Sequence, residues 1–480
     1  MPLDQTPIID ALIQIVGEAN LIQNEQDKAR YLMDWRKQYN GNSMAVVKPA
    51  TTAEVSAILK LADEQNIAII PQGGNTGLCG GATPDQGEHN LVISTERMKT
   101  IREVDTSSQT ITVEAGCILD HIKSAADEHG LLFPLDLGAR GTCQIGGNLS
   151  TNAGGLNVIR YGNTRELTLG IEVVLMGGKV LSLLSKLKKD NTGYDLKDLF
   201  IGAEGTLGVI TAATLKLFPK PVATTTGFAA MRDIDAAISL LHRCQAASGG
   251  NVIAFELMPK TIIENVRHFY PDTPLPISDI PRFSALIEIA STAEDSGTPD
   301  HEGTMPLEKN LTEVLAKAIE DGLVLDATIA RNLTQRNTIW QIRELTPESE
   351  IKAGKAYKSD ISIPLKHMSA FYDEAEKAAT AIMPGIRIFG FGHLGDGNLH
   401  YNLSEPQEKR SDFLEYYPAF DEMMKTLVMK YEGSISAEHG IGQKKRDVFI
   451  STKDPVALEV MRSIKAALDP KHLMNPGKVV

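Results

Sequence analysis

The stretch over residues 390–402 constrains the fold of this chain more than any other. Asp396-Gly397 in its middle predicts a two-residue hairpin turn, because a type I′ turn needs positive φ at both central positions. With those residues as the turn, we expect His393 to pair with His400, and cross-strand partners share a face with Cβ atoms about 5 Å apart. Asn402 lies two residues beyond His400 and is therefore expected on the same face.

Two imidazoles on one face of a hairpin can bind one metal ion. The downstream pair Glu438-His439 offers a third ligand, Glu438, and a base, His439. Two histidines and one carboxylate leave an open position on a divalent ion, as in catalytic zinc sites. The alternative is a turn-rich hairpin with two structural histidines, because this spacing is not a general zinc signature.

The size and charge of the chain limit its class. A length of 480 residues predicts two or three domains, each with its own core. The net charge of −13 argues against broad contact with nucleic acid or an anionic membrane, although a local basic pocket is compatible with it. The four cysteines are scattered and favour a reducing compartment. No signal peptide or membrane span is indicated, so we expect a cytoplasmic protein without integral membrane contact.

Three glycine-rich clusters mark the first half of the chain. The first, residues 71–82, follows the apolar run 67–70 and has five glycines in nine residues, which indicates close approach of the backbone to a ligand. Successive N–H groups suit a pyrophosphate, and the loop matches neither a Walker motif nor GxGxxG. Small and hydroxyl residues in the second cluster (134–155) suit a groove around a large planar cofactor, and the third cluster covers 190–211. These loops carry no phosphate-binding lysine or cluster of acids, which favours a bulky dinucleotide over a nucleoside triphosphate with magnesium. The alternative is a set of glycine-rich surface loops.

Apolar periodicity predicts helices and strands around these clusters. A capping box formed by Thr51 and Glu54 predicts a helix that runs to about Asn66. Other expected helices are a lead-in over 8–34 and segments 119–129, 233–246, 307–319, 366–381 and 454–468. Expected strands are 45–47, 67–70, 91–93, 110–113, 284–289 and 361–363, with a hairpin that turns at Gly177-Gly178.

Two cations in the second half are candidates for binding an anion. Arg343 offers a bidentate fork for a carboxylate, and Lys358 offers a point charge. Arg343 lies four residues before Pro347, which favours the end of a helix there, and Lys358 precedes the strand-like run 361–363. The alternative is that both side chains take part in surface ion pairs.

Six segments in order resemble FAD-linked 2-hydroxyacid dehydrogenases of the vanillyl-alcohol oxidase superfamily. They are 71–84, 141–155, 190–221, 392–402, 434–447 and 468–478, and the resemblance extends over nearly the whole chain. It implies an α+β fold with a two-subdomain PCMH-type FAD-binding domain and an α+β capping substrate domain. The implied boundaries are a helical lead-in over 1–44, the FAD-binding domain over 45–221, the substrate domain over 222–433, and a C-terminal segment over 434–480 that returns to the FAD domain.

The resemblance also implies the residues that contact FAD. Asn75 stands where some relatives tether the flavin through a histidine, so a non-covalent FAD is implied. The implied FAD contacts are Pro71, Gly73, Gly74, Asn75, Thr76, Gly77, Gly80, Gly81, Pro134, Asp136, Gly141, Ile145, Gly146, Gly147, Ser150, Asn152, Gly154, Gly155, Asn191, Gly205, Gly208, Val209, Ile210 and Asn475.

Metal and substrate positions follow from the same resemblance. Pro347 occupies the place, four residues after the arginine, where relatives carry a hydroxyl residue, and Thr346 is one position short of it. The implied ligands of zinc or another divalent ion are His393, His400 and Glu438. The implied substrate contacts are Arg343, Thr346, Lys358, Asn402 and His439.

The implied reaction is oxidation of a small 2-hydroxyacid that carries two carboxylates. His439 would remove the hydroxyl proton, and a hydride would pass from C2 to the flavin N5. A D-lactate or glycolate dehydrogenase of the same superfamily is the nearest alternative, and a non-catalytic flavin- or metal-binding protein is another. The electrons would pass to an electron-transfer flavoprotein or a quinone-linked carrier. The sequence leaves the acceptor, the metal and the oligomeric state open, with a homodimer among the options.

Overall fold

A computed structural model describes residues 5–301 and 303–480 of the chain. The chain divides into two compact units. The first unit runs to Gly155, resumes over Gly162–Lys220 and ends with Glu438–Val480. The second unit consists of Leu156–Tyr161 and Pro221–Ala437. Both units combine helices with sheets, and the predicted α+β class is confirmed.

Some of the helices begin directly after a residue whose side chain caps them. Thr51 accepts a hydrogen bond from the N–H of Glu54 at 3.1 Å, and Asp454 accepts one from Ala457 at 2.9 Å. The α-helices of the described residues are α1 (Thr6–Val16), α2 (Glu25–Leu32), α3 (Thr52–Gln65), α4 (Leu119–Asp127), α5 (Ile145–Thr151), α6 (Val158–Tyr161), α7 (Lys197–Phe200), α8 (Ile234–Ala247), α9 (Lys260–Phe269), α10 (Pro306–Glu320), α11 (Leu333–Glu344), α12 (Thr346–Ala353), α13 (Met368–Ile382), α14 (Tyr417–Lys430), α15 (Arg446–Thr452) and α16 (Pro455–Leu468).

The strands are short and mostly buried. In the described residues they are β1 (Leu21–Ile22), β2 (Ala45–Val47), β3 (Ala68–Gln72), β4 (Asn90–Ser94), β5 (Ile101–Asp105), β6 (Thr110–Glu114), β7 (Leu131–Leu132), β8 (Thr168–Val174), β9 (Val180–Ser182), β10 (Val209–Lys216), β11 (Phe218–Pro219), β12 (Ala223–Met231), β13 (Val252–Pro259), β14 (Phe283–Ser291), β15 (Val324–Ile329), β16 (Ala356–Tyr357), β17 (Ile361–Ser362), β18 (Arg387–His393) and β19 (Asn398–Ser404).

Two larger sheets organise the first unit. One has the order β1-β2-β4-β3, with β2 and β3 both parallel to β4, and the other has the antiparallel order β5-β6-β10-β8-β9. Helix α3 buries Val55, Ile58 and Leu59 in the same apolar cluster as strands β2, β3 and β4. Strand β3 ends at Gln72, so the buried sheet delivers the chain directly into the first glycine cluster.

An eight-stranded sheet forms the centre of the second unit. Its order is β15-β12-β14-β13-β18-β19-β16, and β17 pairs with β19. Alternate residues of β13 belong to different apolar clusters, Phe255 and Leu257 to one and Ala254 and Met258 to the other. The second of these clusters includes residues of α11. Glu256, which alternates with Ala254 and Met258 along the strand, therefore faces that helix.

The predicted hairpin between β18 and β19 is present, but its predicted register is wrong. Phe391, and not His393, pairs with His400. The connection is longer than a two-residue turn, because Leu394–Asp396 forms a 3₁₀ turn and Gly397, with φ of 80°, follows it in the left-handed region. The register differs by two residues, and a shift of two preserves the side-chain face. His393 and His400 are therefore diagonal neighbours rather than direct partners.

The other predicted elements are present, with each boundary within two residues, except in the lead-in. The predicted lead-in is two helices, and Leu21–Ile22 between them is a strand that pairs with β2. The prediction omitted several elements of the second unit, above all β12, β13, α11 and α14. The four cysteines are buried, and none of them forms a disulfide within the described residues. No helix among the described residues has both the length and the apolar character needed to cross a bilayer.

Candidate functional site

A cleft of about 890 Å³, partly open to solvent, lies in the first unit. The predicted FAD contacts in its walls are Pro71, Gly73, Gly74, Asn75, Thr76, Gly77, Gly81, Gly146, Gly147, Ser150, Gly205, Gly208, Val209 and Ile210, and His439 also lines it. The predicted contacts that are not wall residues are Gly80, Pro134, Asp136, Gly141, Ile145, Asn152, Gly154, Gly155, Asn191 and Asn475.

The first glycine cluster presents its backbone to the cleft. Among residues 5–301 and 303–480, none of the N–H groups from Gly73 to Gly77 donates to a backbone carbonyl. A Cβ atom at Gly74 would overlap the carbonyl oxygen of Thr142, so only glycine allows the first cluster to lie this close to the second. A run of N–H donors that the protein does not use is suited to a pyrophosphate.

Asn75 holds the loop in place. Its backbone is left-handed, with φ of 53°, a conformation that asparagine tolerates better than most residues. Its side-chain amide donates to the carbonyl oxygens of Met33 at 2.9 Å and Arg30 at 3.2 Å, at the C-terminal end of α2. The amide is therefore engaged by the lead-in helix.

Glu204 is a cleft residue that the sequence prediction did not assign. Its buried carboxylate accepts hydrogen bonds from the N–H groups of Ile441 at 2.7 Å and Gly442 at 2.8 Å. Burial raises the pKa of Glu204, and these two N–H groups oppose that rise. The carboxylate thus fixes the backbone directly after His439. A lone acid in a glycine-rich run carries no sequence signal for partners more than two hundred residues away.

The C-terminal tail completes this unit. The amide of Asn475 donates to the carbonyl oxygens of Glu204 at 2.7 Å and Gly81 at 2.9 Å. Lys465, which is buried, donates to the carbonyl oxygens of Met474 and Thr206, both at 2.7 Å. Asn475 therefore ties the first glycine cluster to the third from outside the cleft walls.

A buried carboxylate, Glu256, organises the polar centre of the second unit. It lies on β13 opposite His393 and is fully inaccessible to solvent. Its Oε1 lies 2.6 Å from Nδ1 of His393, and its Oε2 accepts from Nε of Arg343 at 2.8 Å. Burial alone would raise the pKa of Glu256, but His393 and Arg343 hold that pKa at about 2. The carboxylate is therefore charged and bound at both oxygens.

Arg343 is held in one orientation. It lies in the last turn of α11, which ends at Glu344 as the proline at 347 predicted. The guanidinium carbon lies 5.0 Å from the centre of the Phe391 ring, and the side chain is only 11% exposed. In the part of the chain that the structure describes, its two terminal nitrogens make no hydrogen bond. Those nitrogens form a fork suited to a carboxylate.

His393 and His400 form the predicted imidazole pair. Their ring centres are 5.6 Å apart, and the ring planes are nearly perpendicular at 80°. Nδ1 of His400 lies 3.8 Å from the buried Asp360, whose Oδ1 also accepts from the amide of Asn398 at 2.9 Å. Nδ1 of His393 thus lies within hydrogen-bond distance of a carboxylate, an arrangement typical of histidines that bind metal through the other ring nitrogen. The distance from His400 to Asp360 is longer than a hydrogen bond.

Lys358 and Asn402 share a second buried acid, Glu350. Nζ of Lys358 lies 3.2 Å from Oε2 of Glu350, and the amide of Asn402 donates to Oε1 at 2.8 Å. The ion pairs of Arg343 and Lys358 therefore involve buried glutamates and are not the surface pairs of the alternative interpretation. Thr346 is fully buried, and its hydroxyl donates to the carbonyl of Ile342 at 3.0 Å within the helical packing.

In the second unit five predicted site residues thus lie beside acids that the prediction missed: His393 and Arg343 beside Glu256, His400 beside Asp360, and Asn402 and Lys358 beside Glu350. The sequence did contain one indication that Glu256 is paired. It is a single acid within an apolar strand, and a buried charge requires a partner. Glu438 and His439 belong to the first unit, and their roles as ligand and base stay predictions.

Comparisons with known proteins identify the class. Residues 43–184 match the FAD binding domain family, and residues 220–479 match the family of FAD linked oxidases, C-terminal domain. The predicted FAD-linked oxidoreductase is therefore confirmed.

Curated relatives narrow the family. A protein named probable D-2-hydroxyglutarate dehydrogenase, mitochondrial, from Oryza sativa subsp. indica is 39% identical over 97% of this chain and 80% of its own length. D-2-hydroxyglutarate dehydrogenases from Bos taurus and Xanthomonas citri pv. viticola are 38% and 35% identical, each over 98% of this chain, and are covered over 83% and 97% of their lengths. This chain belongs to the D-2-hydroxyglutarate dehydrogenase family, as its sequence motifs predicted.

Solved structures confirm the fold. The chain superimposes on p-cresol methylhydroxylase with a TM-score of 0.75 at 14% identity, covering 100% of this chain and 97% of that one. It superimposes on alkyldihydroxyacetonephosphate synthase with a TM-score of 0.72 at 18% identity, covering 99% and 85%. At these identities the likeness concerns the fold, and it confirms the predicted PCMH-type architecture.

The Gly74→Ala variant should lose flavin. Its Cβ would force the first glycine cluster away from Thr142. Overpacking of this kind costs about 1–3 kcal/mol, which corresponds to roughly a five- to 150-fold loss in affinity if the cost falls on the bound state. Flavin absorbance per protein after gel filtration measures the effect. Gly138→Ala is the matched control, because an added Cβ there meets nothing within 4 Å. Equal flavin content in the two variants would contradict the assignment.

Proposed function

We propose that this chain oxidises D-2-hydroxyglutarate to 2-oxoglutarate with FAD as the cofactor. Relatives that carry this activity in their names are 35–39% identical over nearly the whole chain. The structural observation that carries the proposal is Arg343, whose Nε is fixed by buried Glu256 while the terminal fork has no partner among the described residues. Such a fork binds a carboxylate in bidentate geometry, and Lys358 in the same unit supplies a second cation for a dicarboxylate.

FAD fits the cleft of the first unit. The uncommitted N–H groups from Gly73 to Gly77 suit its pyrophosphate, and the buried Oδ1 of Asn148, a wall residue, has no partner among the described residues. When bound, FAD supplies at N5 the acceptor for a hydride from C2 of the substrate. Asn75 has an amide instead of a reactive ring nitrogen, and that amide is bound to α2, which supports non-covalent binding.

Acid precipitation of the purified protein should leave a colourless pellet and a yellow supernatant. The expectation follows from Asn75, which cannot form a histidyl–flavin bond. Absorbance spectra of the two fractions measure the outcome. Flavin that stays with the denatured chain would show that another residue tethers it.

A divalent ion, zinc or another metal, is proposed to bind to His393, His400 and Glu438. Support comes from the paired imidazoles and from Glu256 on the Nδ1 side of His393, which orients Nε2 of that ring as the ligand atom. The adjacent Glu438-His439 pair supports the third ligand and the base on sequence alone. When bound, the ion would lower the pKa of a hydroxyl that ligates it. His439 is proposed to accept the hydroxyl proton, for which a pKa near the working pH is best.

Chelation should abolish turnover without changing the flavin spectrum, and added zinc should restore turnover. His400→Ala should lose the metal as well, because it removes one proposed ligand. Metal content by mass spectrometry is the readout. His367→Ala is the control, since this histidine of the same unit lies near the surface beside Glu432. Full metal content and activity in His400→Ala would show that the site is misassigned.

Lys358→Met should lower kcat/KM for D-2-hydroxyglutarate far more than kcat/KM for D-lactate, because only the dicarboxylate has a distal carboxylate for this cation to bind. A charged hydrogen bond contributes about 1.5–3 kcal/mol, roughly ten- to hundredfold in kcat/KM. The comparison is of kcat/KM for both acids with a dye acceptor, and Lys366→Met, at an exposed lysine of the same unit, is the control. Equal losses on both acids would assign Lys358 to the shared C1 carboxylate.

A D-lactate or glycolate dehydrogenase is the remaining alternative within the superfamily. It requires one carboxylate clamp, whereas Arg343 and Lys358 are held by separate acids, which favours two. D-lactate as the better substrate of the wild-type enzyme would reverse this preference. We further propose a cytoplasmic enzyme that passes its electrons to an electron-transfer flavoprotein or a quinone-linked carrier. Reoxidation of the reduced flavin by each carrier in turn tests the acceptor.

A further inference from the structure

We propose that Glu256 is a positioning residue that couples metal binding at His393 to substrate binding at Arg343. This inference rests on the proposed function. It concerns a residue that contacts neither the metal nor the substrate and acts through the two side chains that do.

Glu256 is a buried acid held between two side chains. It is fully buried on β13, in the middle of the eight-stranded sheet, and both of its oxygens are engaged. One oxygen lies 2.6 Å from Nδ1 of His393, and the other accepts from Nε of Arg343 at 2.8 Å. A charged carboxylate that is shielded from solvent needs partners such as His393 and Arg343, because an unpaired buried charge is strongly unfavourable.

The contact to His393 selects the ligand nitrogen. An imidazole that donates Nδ1–H to a carboxylate exposes the lone pair of Nε2, which is the form that binds a metal. The carboxylate also fixes the rotation of the ring. Removing this partner leaves both tautomers and several ring orientations accessible, so metal affinity falls although every ligand is present.

The contact to Arg343 fixes the plane of the guanidinium. Nε binds Glu256, and one face lies over the Phe391 ring, with 5.0 Å from the guanidinium carbon to the ring centre. The terminal nitrogens are then held in one orientation, which reduces the entropy lost when a carboxylate binds. Phe391 is also the cross-strand partner of His400, so the arginine rests on the same hairpin as the imidazoles.

One carboxylate therefore serves both partners, and a displacement of either changes the position of the other. Coupling of this kind is reciprocal: a ligand on Arg343 that stabilises the Glu256 position should tighten metal binding, and the metal should tighten that ligand to the same degree. The dicarboxylate product 2-oxoglutarate is a suitable probe, because it does not turn over in the absence of a reductant.

The test is Glu256→Gln in the flavin-loaded enzyme. The amide keeps the shape but presents an N–H group to one of two donors. We expect zinc affinity, measured by competition with a chromogenic chelator, to fall about ten- to hundredfold. We expect KM for D-2-hydroxyglutarate to rise about tenfold or more, the scale of one charged hydrogen bond. In the wild-type enzyme 2-oxoglutarate should tighten zinc binding, and in the variant this effect should be smaller, because only the part that passes through direct contact with the ion is kept.

Glu288→Gln is the matched control. Glu288 is a buried acid on β14 that accepts from Nε and a terminal nitrogen of Arg336, both at 2.8 Å, and from the indole of Trp340 at 2.7 Å. Arg336 lies two turns before Arg343 on α11, so the control weakens the same packing of helix on sheet. It should lower the melting temperature and leave zinc affinity and its response to 2-oxoglutarate unchanged.

The outcomes separate the two proposals. Wild-type zinc affinity and KM in Glu256→Gln would overturn the inference and leave the proposed function intact, as would an equal loss of zinc affinity in Glu288→Gln. A wild-type enzyme that neither binds zinc nor oxidises the hydroxyacid would overturn the proposed function and, with it, the inference. If Glu256→Gln does not fold, Glu256→Asp replaces it. Its carboxylate is one methylene shorter, so zinc affinity should fall to an intermediate value, and an unchanged affinity overturns the inference.

Discussion

A charged carboxylate buried inside a sheet determines much of the second unit. The loss of hydration of Glu256 costs several kcal/mol, and only well-placed partners offset it. Helix α11 must therefore present Arg343 in its last turn, and β18 must extend to His393. Glu288 and Glu350 impose the same demand at two further points, where they fix Arg336 and Lys358. Polar residues that would each be unstable alone in this interior are stable as pairs.

The first unit is organised by backbone groups instead of charges. Its cleft is surrounded by glycines and small residues, and the side chains that matter most for its shape bind main-chain atoms. Glu204 accepts from the N–H groups of Ile441 and Gly442, and Asn475 donates to the carbonyl groups of Glu204 and Gly81. Such contacts set the shape of the cleft through hydrogen bonds to the main chain, which suits a ligand recognised mainly by its phosphates and its flat ring.

Local patterns predicted the elements that depend on local chemistry. Thr51 and Glu54 gave the start of α3, and the proline at 347 gave the end of α11, because capping and proline geometry act within a few residues. Strand β12 was missed because its small residues and threonines show no apolar period. The hairpin register was wrong because Asp396 joins a 3₁₀ turn instead of a type I′ turn.

The residues of the candidate site also fall into those that local patterns predicted and those that they did not. His393, His400, Arg343 and Lys358 were found from motif and charge, whereas Glu256 and Glu350 were not, since each is defined by partners distant in the sequence. The acid in β13 lies 137 residues from its histidine, and no local pattern encodes that pairing. Family motifs supplied residue roles that spacing alone left open, and those roles for Glu438 and His439 remain to be measured.

The attachment of Asn75 to α2 bears on how this fold can be divided. The matched FAD binding domain begins at residue 43, yet the amide that holds the pyrophosphate loop donates to carbonyl groups of Arg30 and Met33. A fragment cut at the family boundary would keep every glycine of the first cluster but lose the carbonyl groups that hold Asn75. The first glycine cluster therefore depends on a helix outside the matched domain, and truncated or grafted forms of this enzyme need to include α2.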